Sequence, residues 1–89
     1  MIEAEAPIVN RLGLHARAAA KLVHLASSFE SDVHLVSGGE EIDAKSILGV
    51  LLLAAAQGMT VVLRCTGRDE KEALAALTEL IASGFGEDS

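Results

Sequence analysis

The apolar residues of this chain switch their spacing repeatedly between two and roughly 3.6, and that alternation restricts the architecture more than any other feature. Over residues 2–9, Ile2, Ala4, Ala6 and Ile8 alternate with Glu3, Glu5, Pro7 and Val9, the period of a half-buried strand. Pro7 has no N–H to give to a ladder, so this strand belongs at the edge of a sheet. After a break at Gly13 the period lengthens. Across residues 16–29, Ala19, Leu22, Ala26 and Phe29 share one stripe of a helix and Arg17, Lys21, His24 and Ser28 the opposite one.

Residues 32–36 and 40–43 are short strand-like runs joined through Ser37-Gly38-Gly39. Paired glycines supply the positive φ of a tight turn, which predicts a β-hairpin. Ser46 stands before an apolar stretch beginning at Ile47 and can cap its first turn, with Gly58 placed to close that helix in a left-handed C-cap. A fourth strand follows over 60–66, where Val61, Leu63 and Cys65 alternate with Val62, Arg64 and Thr66. Gly67 turns the chain to Asp69, which with Glu72 has the spacing of a capping box. The last helix is expected from about residue 70 to 83, with Ala73, Leu77, Leu80 and Ile81 inward and Gly84 as terminator. The order βαββαβα in 89 residues predicts one domain, a two-layer α/β sandwich, with residues 86–89 as a frayed tail.

Charge and composition then remove whole classes of function. Thirteen acidic against seven basic side chains give a formal charge of −6, and the chain has two Phe but no Trp or Tyr. Such a surface repels phosphate backbones and offers no stacking platform, so nucleic acid is excluded as a partner. The longest apolar run, residues 47–56, is about half the ~20 residues a membrane-crossing helix needs. Cys65 is alone, which precludes an internal disulfide, and Glu3 and Glu5 stand where a signal peptide would carry positive charge; the cytoplasm is the expected compartment. There is no nucleophile elbow and no Walker or Rossmann glycine pattern, so neither a hydrolase nor a bound cofactor is expected. The charge is also unevenly placed: residues 1–28 and 46–68 are mildly basic, and if they meet in space they form a face that favours anions.

The segment Gly13-Leu14-His15-Ala16-Arg17 can carry chemistry. His15 falls at the expected N-cap of the first helix, where several backbone N–H groups lack partners. Those donors, the positive end of the helix dipole and the Arg17 guanidinium would form a phosphate cradle beside an imidazole that is nucleophilic when neutral. On spacing alone, a lone histidine near a helix start is more often a surface residue, and Arg17 more often one more member of the solvated stripe. His24 and His34 stand in no metal-ligand spacing with His15 or with each other, so no metal is expected. Ser46 is explained by its cap; the sharper reading is a phosphorylation site beside an apolar surface. Ile47, Leu48, Val50, Leu51, Leu52 and Leu53 cover every face of the second helix, and such a helix can bury only one side. The leucines left exposed would make a protein-docking patch, with tighter burial or self-association as alternatives.

Asn10-Arg11-Leu12-Gly13-Leu14-His15-Ala16-Arg17, Ala44-Lys45-Ser46-Ile47-Leu48-Gly49-Val50, Gln57-Gly58 and Leu80-Ile81-Ala82-Ser83-Gly84-Phe85-Gly86 together resemble the HPr phosphocarrier family of the bacterial phosphoenolpyruvate-dependent phosphotransferase system. The resemblance spans essentially the whole chain, with the two signature regions in register. It implies an open-faced sandwich with three helices on one side of a four-stranded antiparallel sheet, in strand order 1-4-2-3. It implies a monomeric, stoichiometric relay in which His15 takes phosphate on Nδ1 from enzyme I and hands it to a IIA domain or protein. Arg17 would stabilise the phosphate, and Ser46 would be the regulatory site of HPr kinase/phosphorylase. Ala16, Ile47, Leu48, Leu51 and Leu52 would be the docking residues. One position departs from the family pattern: Ala18 stands where proline usually follows the arginine, which keeps a helix first turn but loosens it. Two readings of other classes remain, a serine-switched interaction module that relays no phosphate, and a plain α/β domain in which His15 only caps a helix.

Overall fold

A computed structural model describes residues 1–87. Its elements are β1 (Ile2–Pro7), α1 (Ala16–Ser27), β2 (Asp32–Ser37), β3 (Glu40–Asp43), α2 (Ile47–Leu53), β4 (Thr60–Thr66) and α3 (Glu70–Ala82), followed by a short 3-10 turn over Gly84–Gly86. The strands form one antiparallel sheet in the order β1-β4-β2-β3. Pro7 is thus on an edge strand, as its missing N–H requires.

The sheet register explains why only one face is covered. Ile2, Ala4 and Ala6 lie opposite Cys65, Leu63 and Val61, and Leu63 in turn lies opposite Leu35. With a period of two, all of these point to the helical side, where Val33, Leu35, Val61, Leu63 and Cys65 are fully buried. Ala19, Leu22 and Ala26 of α1 and Ala73, Leu77 and Ile81 of α3 complete that core. On the other face, Arg64 bonds Glu3 at 2.9 Å and Glu41 at 2.7 Å, and His34 lies 2.9 Å from Glu41. Arg64 is therefore drawn to the open face of the sheet and adds nothing to an anion-binding face on the helical side.

The hairpin turn forms as its glycines require, with φ of +57° at Gly38 and +84° at Gly39. Other expectations need correcting. The second helix ends at Leu53, not near Gly58, because Ala54 takes the left-handed cap (φ 52°, ψ 39°) and its N–H returns to the Leu51 carbonyl. Gly58 instead lies in the turn before β4, where its N–H donates to the Ile8 carbonyl while Ile8 N–H donates to Met59. Gly86 and Glu87, expected in a frayed tail, are held: Gly86 closes the 3-10 turn and Glu87 N–H donates to Gly84. Residues 88 and 89, the rest of that expected tail, lie outside the described residues.

The Asp69–Glu72 capping box does not form either. Asp69 makes no side-chain cap, and the Glu70 carboxylate folds back on the preceding turn, accepting from Gly67 N–H at 3.0 Å. The Asp69 carboxylate instead reaches the loop before β2, accepting from the N–H groups of Glu30 and Ser31 and from the Ser31 hydroxyl. The hydroxyl foremost, and then the Glu30 amide, pull the Asp69 carboxyl from its ordinary 3.8 down to about 2. A carboxyl more acidic folded than unfolded stabilises the fold above its ordinary value and loses that contribution as pH falls through the folded one. Asp69→Asn is therefore expected to melt below the parent at pH 6, with the gap closing between about pH 4 and pH 2. Circular-dichroism melts across that range check this; a gap of constant size would contradict it.

Candidate functional site

The loop between β1 and α1 is pinned from both sides. Gly13 N–H donates to the Asn10 carbonyl at 3.2 Å, and the buried Asn10 side chain donates to the Gly13 carbonyl at 2.8 Å. Gly13 has φ +62°, and a Cβ there would stand 2.5 Å from the carbonyl oxygen of Ala55. Only glycine lets the loop come this close. The next residue uses that approach, since Leu14 N–H donates to the same Ala55 carbonyl at 2.9 Å while its side chain is buried.

His15 follows in extended conformation (φ −72°, ψ 177°) as the N-cap of α1. Its carbonyl accepts from Ala19 N–H at 2.8 Å, but its imidazole makes no capping bond, and the first turn of α1 has no acidic residue. Among the described residues, no side chain accepts from the unpaired N–H groups that begin this helix. Arg17 is exposed on that turn and makes no ion pair or side-chain hydrogen bond among the described residues, whereas Ala18 and Ala19 turn into the core. The structure thus brings together an imidazole, free backbone donors and an unpaired guanidinium, the components of an anion site at a helix start.

A fourth participant escaped the sequence reading. The imidazole Nε2 hydrogen-bonds a carboxylate oxygen of Glu87, 72 residues away in sequence. The other carboxylate oxygen accepts from the Asn10 amide at 2.9 Å. The Asn10 bond first, and then His15, hold the Glu87 carboxyl below its usual range. Glu87 is delivered by Gly84-Phe85-Gly86, three residues in succession at φ +67°, +59° and +72°. Phe85 is buried, and the Lys21 ammonium donates to its carbonyl at 2.6 Å. The signal available in the sequence was a phenylalanine between two glycines, an apolar anchor inside an otherwise polar end.

Ser46 does cap α2, its hydroxyl accepting from Gly49 N–H at 3.1 Å. Beyond it, only Val50 of α2 is fully buried; Ile47, Leu48, Leu51 and Leu52 stay 44%, 64%, 38% and 71% exposed. Helices α1 and α2 pack against each other, and Ala16 is exposed at the start of α1. Val9, Leu12 and Met59, which the sequence did not single out, are also exposed. They sit on two loops joined by the Ile8–Met59 bond and by Gln57, which donates to the Val9 carbonyl. The other histidines are elsewhere: His24 is exposed near the end of α1, and His34 lies on the open sheet face. Cys65 is buried, and that burial pushes its thiol up. Among the described residues no three His, Cys, Asp or Glu side chains gather as a metal site, and no helix is long and apolar enough to cross a membrane.

A family model for the phosphorylation site of the phosphotransferase-system HPr component matches residues 2–83. Over 87 residues the chain is 53% identical to the phosphocarrier protein HPr of Cupriavidus necator, covering 98% of each. It is 42% identical over 88 residues to the phosphocarrier protein NPr of Shewanella violacea, covering 99% of this chain and 97% of that one. The crystal structure of HPr-C-His from Thermoanaerobacter tengcongensis superimposes with a TM-score of 0.96 at 44% identity, over 100% of both chains.

Proposed function

The chain belongs to the HPr family of phosphotransferase-system phosphocarriers, and on that premise we propose that His15 accepts a phosphoryl group on Nδ1 from phosphorylated enzyme I and passes it to a IIA domain or protein. The protein then acts stoichiometrically, as a monomer in the cytoplasm, and not as an enzyme. The observation that carries this reading is the N-cap whose side chain does not cap: His15 stands at the start of α1 beside backbone donors and an Arg17 that no side chain among the described residues engages. An incoming phosphoryl group would meet N–H donors, the helix dipole and a guanidinium at once. Arg17 contributes attraction at an exposed site, where solvent keeps it moderate, so binding stays reversible as a relay requires.

Partners would dock on Ala16 and on Ile47, Leu48, Leu51 and Leu52, an exposed aliphatic surface next to that helix start. In this reading Ser46 is a regulatory site for HPr kinase/phosphorylase, because a phosphate there adds about −1.5 to −2 charges at the edge of the same surface. Aspartate is as good an N-cap as serine, so Ser46→Asp changes charge and leaves α2 capped. At low salt it is expected to accept phosphate roughly five- to tenfold more slowly, with the deficit shrinking as salt screens the surface. An unchanged rate would remove Ser46 from the account.

The test of the relay itself is direct. Incubation with enzyme I and phosphoenolpyruvate should place one acid-labile phosphate on the protein, and added IIA protein should then take it away. If active enzyme I leaves the protein unlabelled, it relays nothing, and a serine-switched interaction module becomes the better reading.

A further inference from the structure

The bond between Glu87 and His15 has a direction that bears on the chemistry of the ring. A carboxylate only accepts hydrogen bonds, so the Nε2 facing it carries the proton. A neutral imidazole carries one proton, which leaves the lone pair on Nδ1, the nitrogen not used in capping α1. We propose that Glu87 is a positioning residue for phosphoryl transfer, clamping Nε2–H so that Nδ1 faces outward as the nucleophile and placing a negative charge beside the ring as it turns cationic. The inference rests on the reading of His15 as the phosphoryl acceptor.

The clamp is built from both ends. Asn10, almost fully buried and tied to the Gly13 carbonyl, grips the second carboxylate oxygen. Below it, buried Phe85 and the Lys21 bond to its carbonyl fix the turn that presents Glu87. A side chain held this way orients its partner with little further loss of entropy, as the carboxylate partners of metal-binding histidines do. In the transfer step the Nδ1 lone pair attacks phosphorus and a nitrogen–phosphorus bond forms. The bond from phosphorus to the donor's leaving atom breaks, and its electron pair stays with the donor. No proton moves: Nε2 keeps its hydrogen, and the positive charge that develops on the ring lies against Glu87. Onward transfer is the same step reversed.

Two variants separate orientation from charge. Glu87→Gln keeps an oxygen that can accept from Nε2–H but removes the charge; Glu87→Ala removes both. Nitrogen-15 spectra of the unphosphorylated His15 ring, at a pH where it is neutral, should show a single Nε2–H form with a protected proton in the parent and in Glu87→Gln. Glu87→Ala should show a mixture of tautomers with an exchanging proton. Phosphate acceptance from enzyme I should slow by about tenfold or more in Glu87→Ala, with Glu87→Gln in between. A parent-like ring spectrum or an unchanged acceptance rate in Glu87→Ala overturns the inference. If the parent itself took no phosphate, the functional reading would fall instead. The ring spectra need no phosphate and would still decide whether Glu87 sets the imidazole.

Discussion

His15→Ala is expected to melt close to the parent and to take up no acid-labile phosphate from enzyme I. The two halves of that expectation have separate causes. The His15 imidazole contributes no cap to α1, and the helix starts through backbone groups that alanine also has. Its one side-chain partner among the described residues is the part-buried Glu87, which Asn10 still holds after the imidazole is gone, so the fold loses little. What disappears is the only imidazole at this helix start, since His24 is near the far end of α1 and His34 is across the sheet. Loss of a nucleophile costs on the order of 10⁶ in rate where a catalytic serine or histidine has been removed, which here is below detection. Intact mass before and after mild acid reads the result. Label retained by His15→Ala would move the acceptor to another residue.

Gly13→Ala is expected to damage both stability and transfer. A left-handed alanine costs about 1–2 kcal/mol in backbone strain. The added Cβ also meets the Ala55 carbonyl oxygen at 2.5 Å and Ala56 Cα at 2.9 Å, and neither is a side-chain end that can swing away. Overpacking of that kind adds about 1–3 kcal/mol. A total near 3 kcal/mol lowers the melting temperature by on the order of 10–20 °C in a domain of this size. The same shift would break the Leu14–Ala55 bond that seats His15, and a misplacement of about 1 Å can slow a reaction about a hundredfold. Gly58→Ala is the control, because φ is +90° there but nothing lies within 4 Å of a Cβ. It should show the strain alone. Equal melting temperatures for the two variants would mean that the approach of Ala55 is unimportant.

How much of this was visible before folding depends on the range of the interaction. The strands were legible because alternation over a few residues sets both their identity and their buried face; β4 falls on residues 60–66 as its pattern requires. The hairpin was legible because two adjacent glycines admit few other turns. The end of α2 was not, because a left-handed alanine at position 54 contradicts the ordinary preference for glycine, and Gly58 offered a better-looking stop. Asp69 misled for a related reason: its spacing to Glu72 is local, whereas the donors that claim it lie 38 and 39 residues away. In the site, position relative to helix starts made His15, Arg17 and Ser46 candidates, a feature a sequence does display, but the roles expected of them came from the resemblance to the family. Glu87 was missed because its pairing with Asn10 and His15 exists only once the chain end folds back over the β1–α1 loop.

One measurement bears most directly on the central claim. After reaction with enzyme I and phosphoenolpyruvate, a phosphorus–nitrogen correlation on histidine-labelled protein would identify the atom that carries the phosphoryl group. A single acid-labile phosphate is expected on Nδ1 of His15, with the proton still on Nε2. Phosphate on Nε2, on another histidine or as an acid-stable ester on Ser46 would contradict it.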